Sequence, residues 1–427
     1  MSSFRHPGTV LTDHVLEVPL DHDAPAGETI SLFARSVVAT DGGDKPWLVF
    51  LQGGPGSPSP RPIGRDSWLD RALRDYRVLL LDQRGTGRSA RVSRHSVLRR
   101  GGPAEQAEYL SHFRADSIVR DAELLRRHLL GDAPWSVLGQ SFGGFCAVAY
   151  LSHAPSGLRE VLITGGLPGL TATAEDVYRA TYPRVAAKNA AHYARYPHDV
   201  AAVRAITEHL LTHDVRLADG APLTAASFQS LGLALGSSTG SHELHYLTED
   251  AFESPGVLSD AFLAQVHHRL SLASTPLYAV LHEACYAQGA GATAWAAHRL
   301  RAEHPAFDAA AALAGDAPVL FTGEMIYPWQ FETDPALAPL REAAELLAAR
   351  PSWPALYDPA ALAANTVPVA AAVYHDDMYV DRELSLRTAE AIKDARVWVT
   401  NEHEHDGLRV SSGAVLDRLI AMARGNA

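Results

Sequence analysis

The hexapeptide Gly139-Gln140-Ser141-Phe142-Gly143-Gly144 carries the strongest chemical signal in the chain. A serine between small residues, set between an apolar strand-like run and a helix-like run, is the pattern of a nucleophile elbow. On such a turn the hydroxyl projects above a sheet, and the helix start favours developing negative charge. A glycine-rich turn without chemistry is the alternative for this motif taken alone. Acyl transfer also needs backbone donors aimed at an oxyanion. Phe142, directly after the serine, is one candidate, and Gly53 or Gly54 of Gln52-Gly53-Gly54-Pro55-Gly56 is the other. A third cluster, Asp82-Gln83-Arg84-Gly85-Thr86-Gly87-Arg88-Ser89, holds Asp82 and Arg84. They read as structural hydrogen-bond partners, because buried charges usually come in pairs.

The elements that must position these groups read as alternating strands and helices. Val15–Asp21 and Ile30–Ala39 suggest an antiparallel pair. Trp47–Gln52 and Arg77–Asp82 are short apolar runs closed by glycines, as expected of strands buried on both faces of a parallel sheet. Ser117–Leu130 has helical spacing, with Gly131 placed to cap it. The βαβαβ alternation that follows predicts a mostly parallel central sheet with helices on both faces, the α/β-hydrolase fold. After Leu170 the chain turns alanine- and histidine-rich, and an inserted helical cap is expected. Three segments result: residues 1–168 as the first part of the hydrolase domain, 169–356 as the cap, and 357–427 as the second part. Strand signals return at Val367–Asp377 and Ala395–Thr400, and a last amphipathic helix spans Ala414–Ala423.

In this fold a serine is followed in chain order by an acid and then a histidine. Asp376 and Asp377 follow the first late strand, and His403 and His405 follow the second. Histidine is required because an ordinary pKa near ~6.5 lets it take and return a proton at neutral pH. The acid would fix its tautomer and stabilise the imidazolium. Spacing alone leaves both choices open.

Bulk properties narrow the function classes. The 427 residues are 47% hydrophobic and 20% charged, which suits an ordered globular protein. A net charge of -12 argues against nucleic acid and against an anionic membrane surface. Two cysteines, Cys146 and Cys285, cannot build a disulfide scaffold or a cysteine metal site. The N-terminal stretch lacks an apolar signal-like run, and no segment reaches the ~18 apolar residues of a membrane span. A cytoplasmic protein is the expectation, and its oligomeric state is open.

Gly53-Gly54-Pro55-Gly56, Asp82 to Ser89 and Gly139 to Gly144 together resemble the proline iminopeptidase (prolyl aminopeptidase) family of serine peptidases. The resemblance implies release of N-terminal proline from peptides through an acyl-enzyme, with no metal or organic cofactor. It matches Ser141, Asp377 and His405 to the family's catalytic groups. Glu404 stands where glycine is usual, and Gln52 where histidine is common. The family also places cap glutamates near the substrate amine, and Glu243, Glu283 and Glu324 are the candidates here. Such carboxylates would bind a charged N-terminus through charge-assisted hydrogen bonds. Phe142, Tyr286, Tyr327, Trp329 and Phe331 are candidates for lining a proline pocket. Rival readings are an esterase or amidase, a tripeptidyl-type aminopeptidase, and a non-catalytic ligand-binding protein on the same fold.

Overall fold

A computed structural model describes residues 2–64 and 67–426. Its frame is a nine-stranded sheet: β1 (Ser3–His6), β2 (Thr9–Pro19), β3 (Thr29–Ala39), β4 (Trp47–Leu51), β5 (Arg77–Asp82), β6 (Trp135–Gln140), β7 (Leu158–Thr164), β8 (Val369–Tyr374) and β9 (Arg396–Thr400). The spatial order is β1-β2-β3-β5-β4-β6-β7-β8-β9. β1, β2 and β3 pair antiparallel, β3 meets β5 antiparallel, and every pairing from β5 through β9 is parallel. The expected first pair is therefore present but longer at its start. β1 was not legible, because its four residues are almost wholly exposed and carry no apolar alternation.

Strand alternation sorts the core into two layers. Val49, Leu51, Leu79, Leu81, Val137, Val161 and Ile163 pack on one face, against Ile118 and Leu125 of α2 (Ala115–Leu130) and Phe145 and Val148 of α3 (Phe142–His153). Leu48, Phe50, Val78, Leu80, Leu138 and Leu162 point the other way. They meet Trp68 and Leu73 of α1 (Ser67–Asp75) and Val415 and Leu419 of α9 (Ala414–Ala423). Successive side chains on a strand must face opposite sides, so continuous apolar strands require cover on both. The fold is the expected α/β-hydrolase architecture, with helices on both faces.

The segment between β7 and β8 is mainly helical. α4 (Ala174–Arg195) starts with a capping box, Thr173 with Asp176, and runs for 22 residues through Pro183. Its Tyr178, Tyr182 and Val185 pack with Phe228, Phe262, Phe321 and Tyr327 in a separate apolar core. α5 (Gly240–Glu249) belongs to the same body. Apolar packing does not follow chain order throughout. α6 (Pro276–Leu281), residues 284–287 and α7 (Arg341–Ala348) bury Leu277, Leu281, Ala284, Ala344 and Leu347 in the core on the α2/α3 face of the sheet. Among the described residues, no helix is long and apolar enough to cross a membrane.

Candidate active site

β6 ends at Gln140, α3 begins at Phe142, and Ser141 is the single residue between them. Its backbone is left-handed, with φ 55° and ψ −126°, unusual for a residue with a side chain. Ser141 N–H donates to Thr164 O of β7 at 3.0 Å, and Ser141 O accepts from Gly144 N at 2.7 Å. The flanking glycines are required by contact. A Cβ at Gly143 would lie 1.9 Å from Leu51 O, and one at Gly144 would lie 2.4 Å from Gly166 O. Helix and strands approach so closely that only hydrogen fits.

His405 follows β9, and its Nδ1 lies 2.7 Å from Asp377 Oδ2. The other carboxylate oxygen of Asp377 accepts from the N–H groups of Tyr379 (2.8 Å) and Val380 (3.1 Å). Asp377 and His405 are 1% and 6% exposed. Burial by itself would lower the imidazole pKa, but the charge and hydrogen bond of Asp377 outweigh it and leave His405 raised. Asp376 instead lies against exposed His375, at 2.8 Å, and His403 is half-buried outside this arrangement. Two adjacent glycines after β7 bring Ser141 and His405 together. A Cβ on Gly165 would lie 3.1 Å from His405 Nδ1, while one on Gly166 would lie 2.4 Å from Ser141 O.

The glycine loop after β4 lies against the serine. A Cβ on Gly53 would come within 2.9 Å of Ser141 Cβ. Gln83 holds this loop by donating from Nε2 to Gln52 O at 2.9 Å. Gly54 has φ +136°, a backbone open to glycine. Gly53, Gly54 and the N–H of Phe142 are thus grouped around the hydroxyl-bearing residue.

Asp82 and Arg84 stand beneath, as scaffold. Asp82 is fully buried and accepts from Ser59 N, Arg88 N and the Arg61 guanidinium. Arg84 makes a double contact with Asp121, at 2.7 and 2.6 Å, and donates to the carbonyls of Pro19, Leu20 and His112. Each buried charge here is paired, Arg84 with buried Asp121 and Asp82 with the more exposed Arg61.

The three glutamates separate. Glu243, with a side chain 42% exposed, pairs with Arg269 and Thr239 on the outside of the cap. Glu283 is buried but accepts from Ala296 N and Ala297 N, both at 3.0 Å, and so caps the helix Ala296–Leu300. Burial pushes its carboxyl up to about 7. Glu324 accepts from Tyr278 Oη at 2.8 Å. Its charge reaches His405, Tyr278, Tyr286 and Tyr379. Burial raises all three tyrosine hydroxyls, yet each ring keeps some free surface. The edge of the Tyr379 ring meets the His405 ring at 4.8 Å.

Of the five aromatics, Phe142 and Tyr286 both pack on Phe145, at 6.2 and 6.0 Å between ring centroids. Tyr327 is in the cap core, stacked on Trp329, and Phe331 packs on Trp295. Tyr278 and Tyr379 were not singled out by sequence. Each is one tyrosine among 14, and only the fold sets Tyr278 on Glu324 and Tyr379 against His405. Cys285 is buried, its Sγ donates to His282 O at 2.8 Å, and burial raises its pKa far above the ordinary thiol value. Among the described residues, no three His, Cys, Asp or Glu side chains form a metal-binding group.

Comparison with known proteins gives the chain its relatives. Residues 46–263 match the family model described as alpha/beta hydrolase fold. The chain is 51% identical over 414 residues to a proline iminopeptidase of Aeromonas sobria, covering 96% of each chain. It is 37% identical over 418 residues to a proline iminopeptidase of Aspergillus aculeatus, covering 95% of this chain and 92% of that one. With a probable proline iminopeptidase of Streptomyces coelicolor the likeness is 35% over 124 residues, 29% of this chain and 34% of the other. By its sheet, its elbow and these full-length similarities, the chain is a hydrolase that belongs to the proline iminopeptidase family of the α/β-hydrolase fold.

Proposed function

We propose that the protein is a serine aminopeptidase that releases N-terminal proline from peptides through an acyl-enzyme. The observation that carries this reading is a carboxylate, Glu324, whose charge acts on His405 of the His405–Asp377 pair. An acid within electrostatic reach of the histidine is complementary to a charged amine, and that requirement separates an aminopeptidase from an esterase. The relatives that match over the whole chain carry the name proline iminopeptidase, which supports proline as the released residue.

In the proposed mechanism Glu324 receives the substrate ammonium and sets the first peptide bond over Ser141. His405, oriented by Asp377, takes the Ser141 proton as the oxygen attacks the carbonyl carbon. The N–H groups of Phe142 and of Gly53 or Gly54 hold the oxyanion. His405 then protonates the leaving amine, and water attacks the acyl-serine to release proline and regenerate the hydroxyl. Glu243 and Glu283 have no part in this mechanism, since their carboxylates are engaged elsewhere. A cytoplasmic location is favoured by the two buried, unpaired cysteines.

The test is hydrolysis of proline-β-naphthylamide, its N-acetylated form and a p-nitrophenyl ester by the wild type and Ser141→Ala. The expected result is a free-amine requirement and loss of activity in the variant, together with loss of fluorophosphonate labelling. Equal turnover of blocked and free substrates would overturn the aminopeptidase reading, and undiminished hydrolysis by Ser141→Ala would overturn the nucleophile.

A further inference from the structure

Helix α4 of the cap carries Arg184 and Lys188 one turn apart, so both side chains leave the same face. Arg184 Nε lies 2.5 Å from Asp381 Oδ2, and Arg184 also donates to His375 O at 3.3 Å. Both acceptors flank Asp377, on the loop between β8 and α8 (Arg382–Ala391). Lys188 Nζ contacts both oxygens of Glu404, at 2.6 and 2.5 Å. Glu404 directly precedes His405. The neighbouring cap segment adds uncharged links: Gly236 O accepts from His405 N at 3.2 Å, and Ser238 Oγ donates to Asp406 at 2.7 Å. One helix face therefore grips both loops that carry the acid and the histidine.

The electrostatics add a second point. The charged groups with the largest effect on His405 are Asp377 from the acid loop, Glu324 from the cap and Arg409 from the next turn of its own segment. Those that act on Glu404 are Lys188, Asp377 and Asp376. Burial raises the Glu404 carboxyl, and Lys188 opposes that rise. The Lys188 and Glu404 side chains are only 12% and 31% exposed, so solvent screens the pair incompletely. A carboxylate next in sequence to a general base would favour the imidazolium and keep the base protonated to higher pH. The ammonium cancels that field.

We propose that Lys188 and Glu404 are a positioning pair for His405: the cap ammonium anchors the histidine loop and neutralises the charge carried beside the base. Neither residue touches substrate, and the inference rests on His405 being the base of the reaction. Removing either partner alone has opposite electrostatic consequences. Lys188→Met leaves a bare carboxylate and moves the acid limb of the kcat/KM profile up. Glu404→Gln leaves a bare ammonium and moves it down. Loss of a merely structural tie would move both the same way, or neither.

The experiment is the pH dependence of kcat/KM for proline-β-naphthylamide in wild type, Lys188→Met, Glu404→Gln, the double variant and Lys188→Arg, with thermal melting of each. The expected shifts are about half a pH unit upward for Lys188→Met and about half a unit downward for Glu404→Gln. The double variant returns close to the wild-type limb, and Lys188→Arg keeps it. Limbs that do not move, or single variants that shift in the same direction, would overturn the pair. Should a single variant fail to melt cooperatively, the double variant and Lys188→Arg decide, and a displaced limb in either overturns the proposal. Hydrolysis retained by Ser141→Ala is a separate outcome, which removes the underlying mechanism rather than the pair alone.

Discussion

At the scale of single residues, Asp377 and Glu324 make separable predictions. Asp377→Asn leaves the shape of the site but can no longer select the imidazole tautomer, and kcat is expected to fall by roughly 10³–10⁴. Asp376→Asn removes a carboxylate that meets only exposed His375 and is expected to stay within about twofold of wild type. Steady-state kinetics on both variants checks the assignment, and equal losses would contradict it. Glu324→Gln keeps an acceptor for the Tyr278 hydroxyl but removes the charge. Losing one charge-assisted contact worth about 2–3 kcal/mol should raise KM for free-amine substrates by roughly 30- to 150-fold. The N-acetylated substrate, which cannot use that contact, gains nothing from Glu324 and should change far less. The sequence could point to Ser141 from its motif but not choose among three cap glutamates. A motif repeats a local backbone requirement, whereas a glutamate acquires its role from what faces it.

At the scale of elements, the elbow and the helix cap are the sensitive places. Gly143→Ala would drive a Cβ to 1.9 Å from Leu51 O, a backbone atom that cannot move without displacing β4 and the glycine loop after it. We expect it to abolish activity and to cost more than about 3 kcal/mol in urea unfolding. Glu283 gives a pH signature. Its carboxyl is raised to about 7 in the folded protein, against about 4.5 when unfolded, so the native state binds more protons between these values. The stabilisation from this group is full below pH 4.5 and is lost as pH rises through 7. The full shift corresponds to a loss of roughly 3–4 kcal/mol. Glu283→Gln should flatten the fall in unfolding free energy between pH 5 and 7.5, and an unchanged slope would show that Glu283 does not titrate there. The capping role was hidden in the sequence, because Glu283 precedes by 13 residues the helix whose first N–H groups it satisfies.

At the scale of the whole molecule, the cap and the sheet are not independent bodies. Leu277, Leu281, Ala284, Ala344 and Leu347 come from the segment between β7 and β8, yet they are buried in the same core as α2 and α3. Arg184, Lys188 and Ser238 reach from the cap to the catalytic loops. Calorimetry is therefore expected to show one cooperative unfolding transition, and two separated transitions would refute this coupling. For the same reason, a chain lacking residues 169–356 should not leave a folded hydrolase, since the exposed face of α3 would lose its cover.

Sequence alone pointed to most of the sheet and to Ser141 as the candidate nucleophile, because both rest on local rules. Apolar strands closed by glycines and a strand-to-helix serine turn are each visible within a few residues, and the order of serine, acid and histidine is read along the chain. The full-length relatives carry the same family reading. Tertiary structure decided what the local pattern could not: that Asp377 rather than Asp376 meets the imidazole, and that Glu324 rather than Glu243 or Glu283 acts on it by its charge. It also set Lys188 on Glu404, 216 residues away. Those choices depend on how the cap folds back over the sheet, and a contact across such a distance leaves no periodicity or spacing in the chain.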